Sequence, residues 1–419
     1  MSVLRSVDEI EPAEWEELTR EADIDSSRGF LQFREYLEPG ESVLITARSA
    51  AGRLRGALRG VLAVPGSGLT SDPWKFLGSE AVLRIDDGED EDRARSLRRA
   101  QRALVHGAAG EREERDGAEP LWQVLTRSVG PCLVVREFDR SEVLCHPEAA
   151  PAESEELVRR LVGAAQAEAA ARGAGAVAFP FVRPRDGVLR AVLAEAGFRG
   201  GAMTGASEMK TAGFGDYEEF LAALPSRRRR LYRLEERRLR DIPGLSAGEV
   251  DLAGNAERIA ELEARTLVKH GGLADPEAIR RARIELAGRL PDAVRVPAVR
   301  KDGRIIACAL HLQGGKSVVF MTYGCDYGVE DRGASYPWAA FYHPVRTAIA
   351  SGAATVRLGL EGFEAKTRRG AVTEARELWV WTPDATALGQ LGDLLGLVDE
   401  RNAAFLKRYT SGHGAVGLP

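Results

Sequence analysis

The sequence predicts an α/β (α+β) protein of two related domains in tandem. Three observations predict it. The length of 419 residues accommodates two to three domains at roughly 100–200 residues each. A strand, a tight glycine turn and a second strand occur once in each half. A helix, a glycine and a buried strand follow each hairpin in the same order, and a repeated order of elements points to duplication.

From the N-terminus, Met1–Arg5 lead into an acidic stretch from Asp8 to Glu21 without an apolar signal core. No run of about 18 apolar residues occurs anywhere, so a soluble, cytoplasmic protein is expected. Ser42–Ala47 reads as a strand, Gly52 turns the chain, and Arg53–Leu58 returns beside it. Glycine supplies the positive φ that such turns need. A charged insertion with one helix, Arg93–Val105, is expected over about 67–130, where Asp86–Asp92 and Glu111–Asp116 are almost wholly charged. The Ala-rich run Glu153–Ala171 reads as a helix ended at Gly173, and Ala174–Phe179 as a buried strand. The first domain is expected over 1–205.

A connecting segment, 206–244, follows. Met203–Lys210 reads as a strand, Asp216 as the N-cap of a helix Tyr217–Leu224, and Ser226 as the N-cap of an Arg-rich helix to Asp241. The second domain, 245–419, repeats the hairpin in Val294–Val299, Asp302–Gly303 and Arg304–Ala309. It repeats the later unit in Ala339–Ala350, Gly352 and Ala353–Leu358.

Lys and Arg total 58 against 63 Asp and Glu, a net charge of −5. A nucleic-acid coat would have the opposite balance, which leaves room only for a local basic patch. Cys132, Cys145, Cys308 and Cys325 form no CxxC pair and, with the six histidines, no zinc spacing. No metal site is expected, and the thiols read as small buried side chains in a reducing compartment. The GxxxxGK[ST], strand-linked GxGxxG, GxSxG and HExxH patterns are absent. P-loop, dinucleotide, serine-hydrolase and zincin chemistries thereby lose their best support.

Three groups of residues carry possible chemistry. Arg227–Arg230, Arg233, Arg237, Arg238 and Arg240 make the densest basic stretch. On a helix, Leu231, Leu234 and Leu239 give it a side on which to dock. Arginine suits bidentate phosphate recognition, and the helix N-terminus adds partial positive charge. The same run also fits a solvated face braced by Glu235 and Glu236. Second, the strand Arg357–Leu360 ends in a Gly-rich bend leading to Lys366, Arg368 and Arg369. A loop beyond a strand's C-terminal end is a common ligand site in α/β sheets, though this one also reads as an exposed hairpin loop. Third, His311, Tyr323, Tyr327, Tyr336, Trp338, Tyr342 and His343 could line a pocket, although aromatics at such spacing more often fill a core.

Two of these stretches resemble a known family. Phe220–Arg230, read F-L-A-A-L-P-S-R-R-R-R, is similar to the "F-L-x-x-L-x-S-x-x-R-x-x-x-R-R" helix of the Fem-type aminoacyltransferases. Gly362–Gly370, read G-F-E-A-K-T-R-R-G, is similar to their "G-x-x-x-K-x-x-R-G" loop. The likeness covers about 215–385 and, more loosely, both halves. It resembles the GNAT-like acyltransferase superfamily in its tandem, FemAB-like form.

The resemblance implies two GNAT-like domains, each a mixed, mainly antiparallel sheet flanked by helices. It implies transfer of an acyl or aminoacyl group from an activated donor to an amine, forming an amide or peptide bond. The donor is aminoacyl-tRNA in Fem-type enzymes and acyl-CoA in GNAT enzymes. By the matched loop, Lys366 would stabilise the developing oxyanion or hold the donor, an effect of about 3–4 kcal/mol. Tyr342, Tyr323 and His311 are candidates for moving the amine's proton. Arg227, Arg228, Arg230, Arg233, Arg368 and Arg369 would contact donor phosphates, with an affinity that falls steeply with salt.

Two departures bear on the donor. No heptad pattern matches the long helical hairpin by which cell-wall Fem enzymes contact tRNA. The [RQ]-x-x-G-x-[GA] signature for CoA has no convincing counterpart, although Arg332 and Gly333, before a helix, could offer backbone N–H groups to phosphates. The equivalent stretch of the first half, Cys145–Pro151, has two prolines and no glycine. That domain is expected to serve as scaffold or acceptor site. Aminoacyl-tRNA is the favoured donor and acyl-CoA the alternative. A non-catalytic pair acting as a binding module is the competing reading. No bound cofactor and no stable membrane insertion are expected, and the acceptor is an amine-bearing small molecule or peptide.

Overall fold

The computed structural model describes residues 1–38, 40–64, 72–77, 96, 99–100 and 121–410. The described residues form two compact units, one within 1–20, 38–205 and 374–407, the other within 21–37, 206–373 and 408–410. The expected helix over 93–105 lies outside the described residues apart from 96, 99 and 100, and most of the 67–130 insertion does so too.

The first unit is built on β1 (Ser2–Leu4), β2 (Glu41–Arg48), β3 (Leu54–Leu62), β4 (Cys132–Val135), β5 (Leu144–Cys145) and β6 (Ala176–Val182). Pairing runs β1-β2-β3-β4-β6 and on to β14 (Val372–Trp381), and β5 pairs with β3. Among the described residues of this unit, β4 and β6 form the one parallel pair, through Cys132–Val134 and Ala176–Ala178. All seven residues of β6 are buried, the expected reading of an interior strand covered on both faces. Helix α5 (Pro151–Ala171) buries Leu157, Leu161, Val162, Ala165 and Ala169 against Val43, Ile45, Leu133 and Val177.

The second unit is built from the end of β7 (Arg199–Lys210), then β8 (Leu245–Glu249), β9 (Val294–Arg295), β10 (Pro297–Lys301), β11 (Arg304–Gly314), β12 (Ser317–Cys325) and β13 (Thr355–Leu360). Its order is β7-β13-β12-β11-β10-β8, with β9 beside β11. Here too one pair is parallel, β12 with β13 over Ser317–Val319 and Thr355–Arg357. Asp302 and Gly303, both at positive φ, make the two-residue turn between β10 and β11. Gly352, at φ 72°, ends the helix before β13. Both repeats predicted from sequence are present.

The unit boundaries differ from the expected contiguous halves. β14 pairs with β6, and the long helix Ala385–Thr410 holds β7 through Asp399 and Asn402, so 374–407 pack in the first unit. Residues 21–37 belong to the second unit because buried Asp25 pairs with Arg357 at 2.8 Å. The segment 206–244 is no separate connector. Its helices α7 (Tyr217–Ala223) and α8 (Ser226–Asp241) bury Tyr217, Phe220, Leu221 and Tyr232 in one core with Val318, Phe341 and Val356.

Candidate active site

The face that α8 packs is not the leucine face expected. Tyr232 and Leu239 are buried, Leu231 is half-buried and Leu234 exposed. Tyr232, Glu235 and Leu239 recur at three- and four-residue spacing and so share one side of the helix. Glu235 accepts the Arg369 guanidinium at 2.8 and 3.3 Å, and the Tyr342 hydroxyl. Arg369 also donates to the Ala365 carbonyl at 3.0 Å, and Tyr232 donates to the Arg369 carbonyl at 2.8 Å. Glu236 takes Arg346 at 2.7 Å and the Tyr217 hydroxyl at 3.1 Å. With its acids turned inward, α8 sends its arginines outward.

Those arginines meet the second motif. Arg227, Arg228, Arg230, Leu231 and Leu234 of α8, with Glu364 and Arg368 of α13 (Phe363–Arg368), line a groove of about 680 Å³. Among the described residues, Arg227, Arg230 and Arg368 make no ion pair. Helix α8 starts at Ser226 itself, with Pro225 at the N-cap and no side-chain cap, which corrects the expected Ser226 cap. Its first N–H groups and positive dipole end lie beside the groove's arginines.

The other predicted residues are dispersed. Lys366 is buried and absent from the groove wall. Its ammonium donates to the carbonyls of Gly359 at 2.9 Å and Leu360 at 2.8 Å, strapping the end of β13 before the left-handed turn at Glu361 and Gly362. Direct contact with a donor's oxyanion is not its geometry here. Arg369 is internal. Burial works against its charge, but Glu235 outweighs this and leaves the guanidinium more firmly protonated than usual. Arg233 pairs with Glu218 and faces a different groove. Arg332 donates to the Val329 carbonyl at 2.7 Å within a 3-10 turn, and Gly333 is exposed with open space around it. These two do not join the arginine groove.

Of the three proton-transfer candidates, His311 and Tyr342 are core residues and Tyr323 is half-buried on β12. His311 is 1% exposed, and burial pushes its pKa down to about 3, against the bond between its Nε2 and the Ala339 carbonyl at 2.9 Å. It stays neutral and out of reach of solvent. Burial raises the Tyr323 phenol well above its ordinary value, and its ring packs on Tyr336. Burial, reinforced by the bond to Glu235, does the same for Tyr342. Neither supplies a phenolate. Tyr342 closes a π-helical turn, Trp338–Tyr342, between α11 (Ser335–Pro337) and α12 (His343–Ser351), where a continuous helix was expected. The cysteines are buried or half-buried, with thiols raised chiefly by burial.

Sequence reasoning missed Glu235 and Tyr232. The available signal was their spacing with Leu239, read instead through the leucines.

Each unit is a mixed sheet with flanking helices, an α/β architecture. Residues 143–398 match the FemAB-like family, described as one of peptidoglycan biosynthesis and recognition. More than half of the chain is matched, and the chain belongs to that family. The crystal structure of FemX is similar at 11% identity over 94% of this chain and 100% of its own, with a TM-score of 0.57. A tandem GNAT protein from the clavulanic acid biosynthesis pathway is similar at 14% identity over 91% and 97%, with a TM-score of 0.46. The C-terminal domain of a lysylphosphatidylglycerol synthetase from Agrobacterium fabrum is similar at 15% identity over 72% and 96%, with a TM-score of 0.42. No curated protein matches the chain by sequence. No helix among the described residues is long and apolar enough to cross a membrane.

Proposed function

We propose that the second unit transfers an aminoacyl group from aminoacyl-tRNA to an amine acceptor. The observation that carries this reading is the single groove shared by Arg227, Arg228, Arg230 and Arg368, next to an uncapped helix N-terminus. Four guanidinium groups against one carboxylate, Glu364, suit a chain of phosphates. In the reaction the neutral amine attacks the ester carbonyl, the C–N bond forms, the C–O bond to the ribose breaks, and the amine's proton ends on the leaving oxygen. Lys366 acts as a positioning residue that holds the β13 end and α13, and with them Arg368, in place.

The test is incubation of the protein with charged tRNAs, or with acyl-CoAs, and a set of amines, following loss of the acyl group and appearance of amide. Amide formed from aminoacyl-tRNA, lost in Arg230→Glu and Arg368→Glu, is expected. Each reversal should lower the slope of log affinity against log salt by about 1. Amide formed from acyl-CoA alone overturns the donor assignment. Release of amino acid that ignores both variants overturns the groove.

A further inference from the structure

Away from the arginine groove, the second unit holds a cavity of about 510 Å³ between α9 (Ala256–Lys269), the segment leading to α10 (Pro276–Arg289), and the end of β12. The cavity and the groove share no lining residue. Glu261, Arg265, Val268 and Lys269 recur at three- and four-residue spacing, so one side of α9 presents both charge and hydrocarbon to the cavity. Ala264, Ala274 and Pro276 extend the apolar wall, and Asp326 and Tyr327 complete it from the β12 end. Gly271, at φ 80°, turns the chain out of α9, and Gly272 donates back to the Leu267 carbonyl at 2.9 Å. Beyond them Leu273, next to the lining Ala274, is wholly exposed, and Val268 is 61% exposed.

Both carboxylates of the cavity are engaged. Asp326 accepts Arg258 at 3.2 Å, Arg265 at 2.7 Å and the Gly328 N–H at 3.3 Å, and Glu261 accepts Arg258 at 2.7 Å. Lys269 differs. Its ammonium lies 3.8 Å from the Tyr327 ring centroid and, among the described residues, makes no ion pair. The Arg332 guanidinium stands 5.8 Å from the same ring. Cations therefore outnumber carboxylates, and the surplus charge rests on an aromatic face beside an apolar wall. An inorganic anion has no use for that wall. A neutral hydrocarbon leaves the ammonium without a partner, and a cation is repelled by it. A carboxylate on an aliphatic stem uses both features: its oxygens take the Lys269 ammonium, and its stem covers Val268, Ala274, Pro276 and the Tyr327 ring.

We propose that this cavity binds a small organic carboxylate with an aliphatic stem. The site stands apart from the donor assignment. Calorimetric titration of the full chain with octanoate, octanol, octylamine and acetate tests it. Octanoate is expected to bind about ten-fold or more tightly than each of the other three. Lys269→Met, at an exposed position, should bring octanoate down to the affinity of octanol, and Lys269→Arg should keep the preference. Val268→Ser with Leu273→Ser, both exposed, should weaken octanoate and octanol together. Arg230→Glu, in the arginine groove, should leave octanoate binding intact whether or not it affects donor use. No binding of octanoate, equal or tighter binding of octanol, octylamine or acetate, or a preference for octanoate over octanol that persists in a folded Lys269→Met protein overturns the proposal.

Discussion

In the first unit the parallel strands β4 and β6 pair for three residues and then part, and the gap is filled. Arg136, Glu137, Asp139, Arg140 and Ser141 are all buried there, and the Ser141 hydroxyl shares its one proton between the carbonyls of Val135, at 2.6 Å, and Pro180. In the second unit β12 and β13 also pair for three residues, but β12 continues to Cys325 with Phe320–Tyr323 only half-buried. There the strand end is held by a lysine, and an arginine groove lies beside the helix that carries it. The bend in β6 falls on Phe181, a buried aromatic at φ 65°, whereas β13 bends at Gly359, at φ 71°. A bulky side chain in the left-handed region costs about 1–3 kcal/mol and persists only where packing over-determines it. One topology thus gives a closed scaffold in one unit and a basic, accessible surface in the other.

That contrast can be broken from the second unit first. Glu235→Ala leaves the Arg369 guanidinium buried without its carboxylate and should cost about 3–5 kcal/mol in urea unfolding. A loss under about 1 kcal/mol would mean that α8 is not locked to the Lys366 helix through this pair. Lys366→Met frees the Gly359 and Leu360 carbonyls, and displacement of the site should lower acyl transfer about 100-fold while the chain remains folded by circular dichroism. Full activity would remove Lys366 from the machinery.

His311 gives a pH test of the second unit's core. Its folded pKa lies at about 3, below the unfolded value near 6.5. The unfolded chain then binds the extra proton, so stability is complete above about pH 6.5 and falls towards pH 3. The slope approaches about 1.4 kcal/mol per unit. Comparison of urea midpoints at pH 7 and pH 5 should show a drop that His311→Phe flattens, and an equal drop in both proteins would refute the assignment.

The smallest effect belongs to the first unit. Ser141→Ala removes one hydroxyl between two strands and should cost about 1–2 kcal/mol, with acyl transfer unchanged. A large loss of activity there would mean that the first unit takes part in catalysis.

Much of this was legible in the residues. Asp302–Gly303 and Gly352 announce their turns because few other residues tolerate positive φ, and the repeated order of elements follows from them. The outward arginines of α8 were legible as a run. Glu235 was not, because a Glu among arginines reads the same whether it braces a solvated helix or, half-buried, takes the hydroxyl of a buried tyrosine. Nor was the burial of His311 on its strand and of Tyr342 on its helix, since residue spacing alone does not say which side meets solvent.

By itself, then, the sequence determined the duplicated architecture and the two basic motifs, through local rules of turn chemistry, helix capping and hydrophobic period. Tertiary structure decided the rest. It gave β14 to the first unit, turned Lys366 onto backbone carbonyls, and brought Arg227, Arg228, Arg230 and Arg368 to one groove while Arg369 went inside. These outcomes depend on which buried charge finds which partner across long separations, such as Glu235 with Arg369, 134 residues on. Only the packed chain sets that pairing, because burying a charge is tolerable only beside its partner.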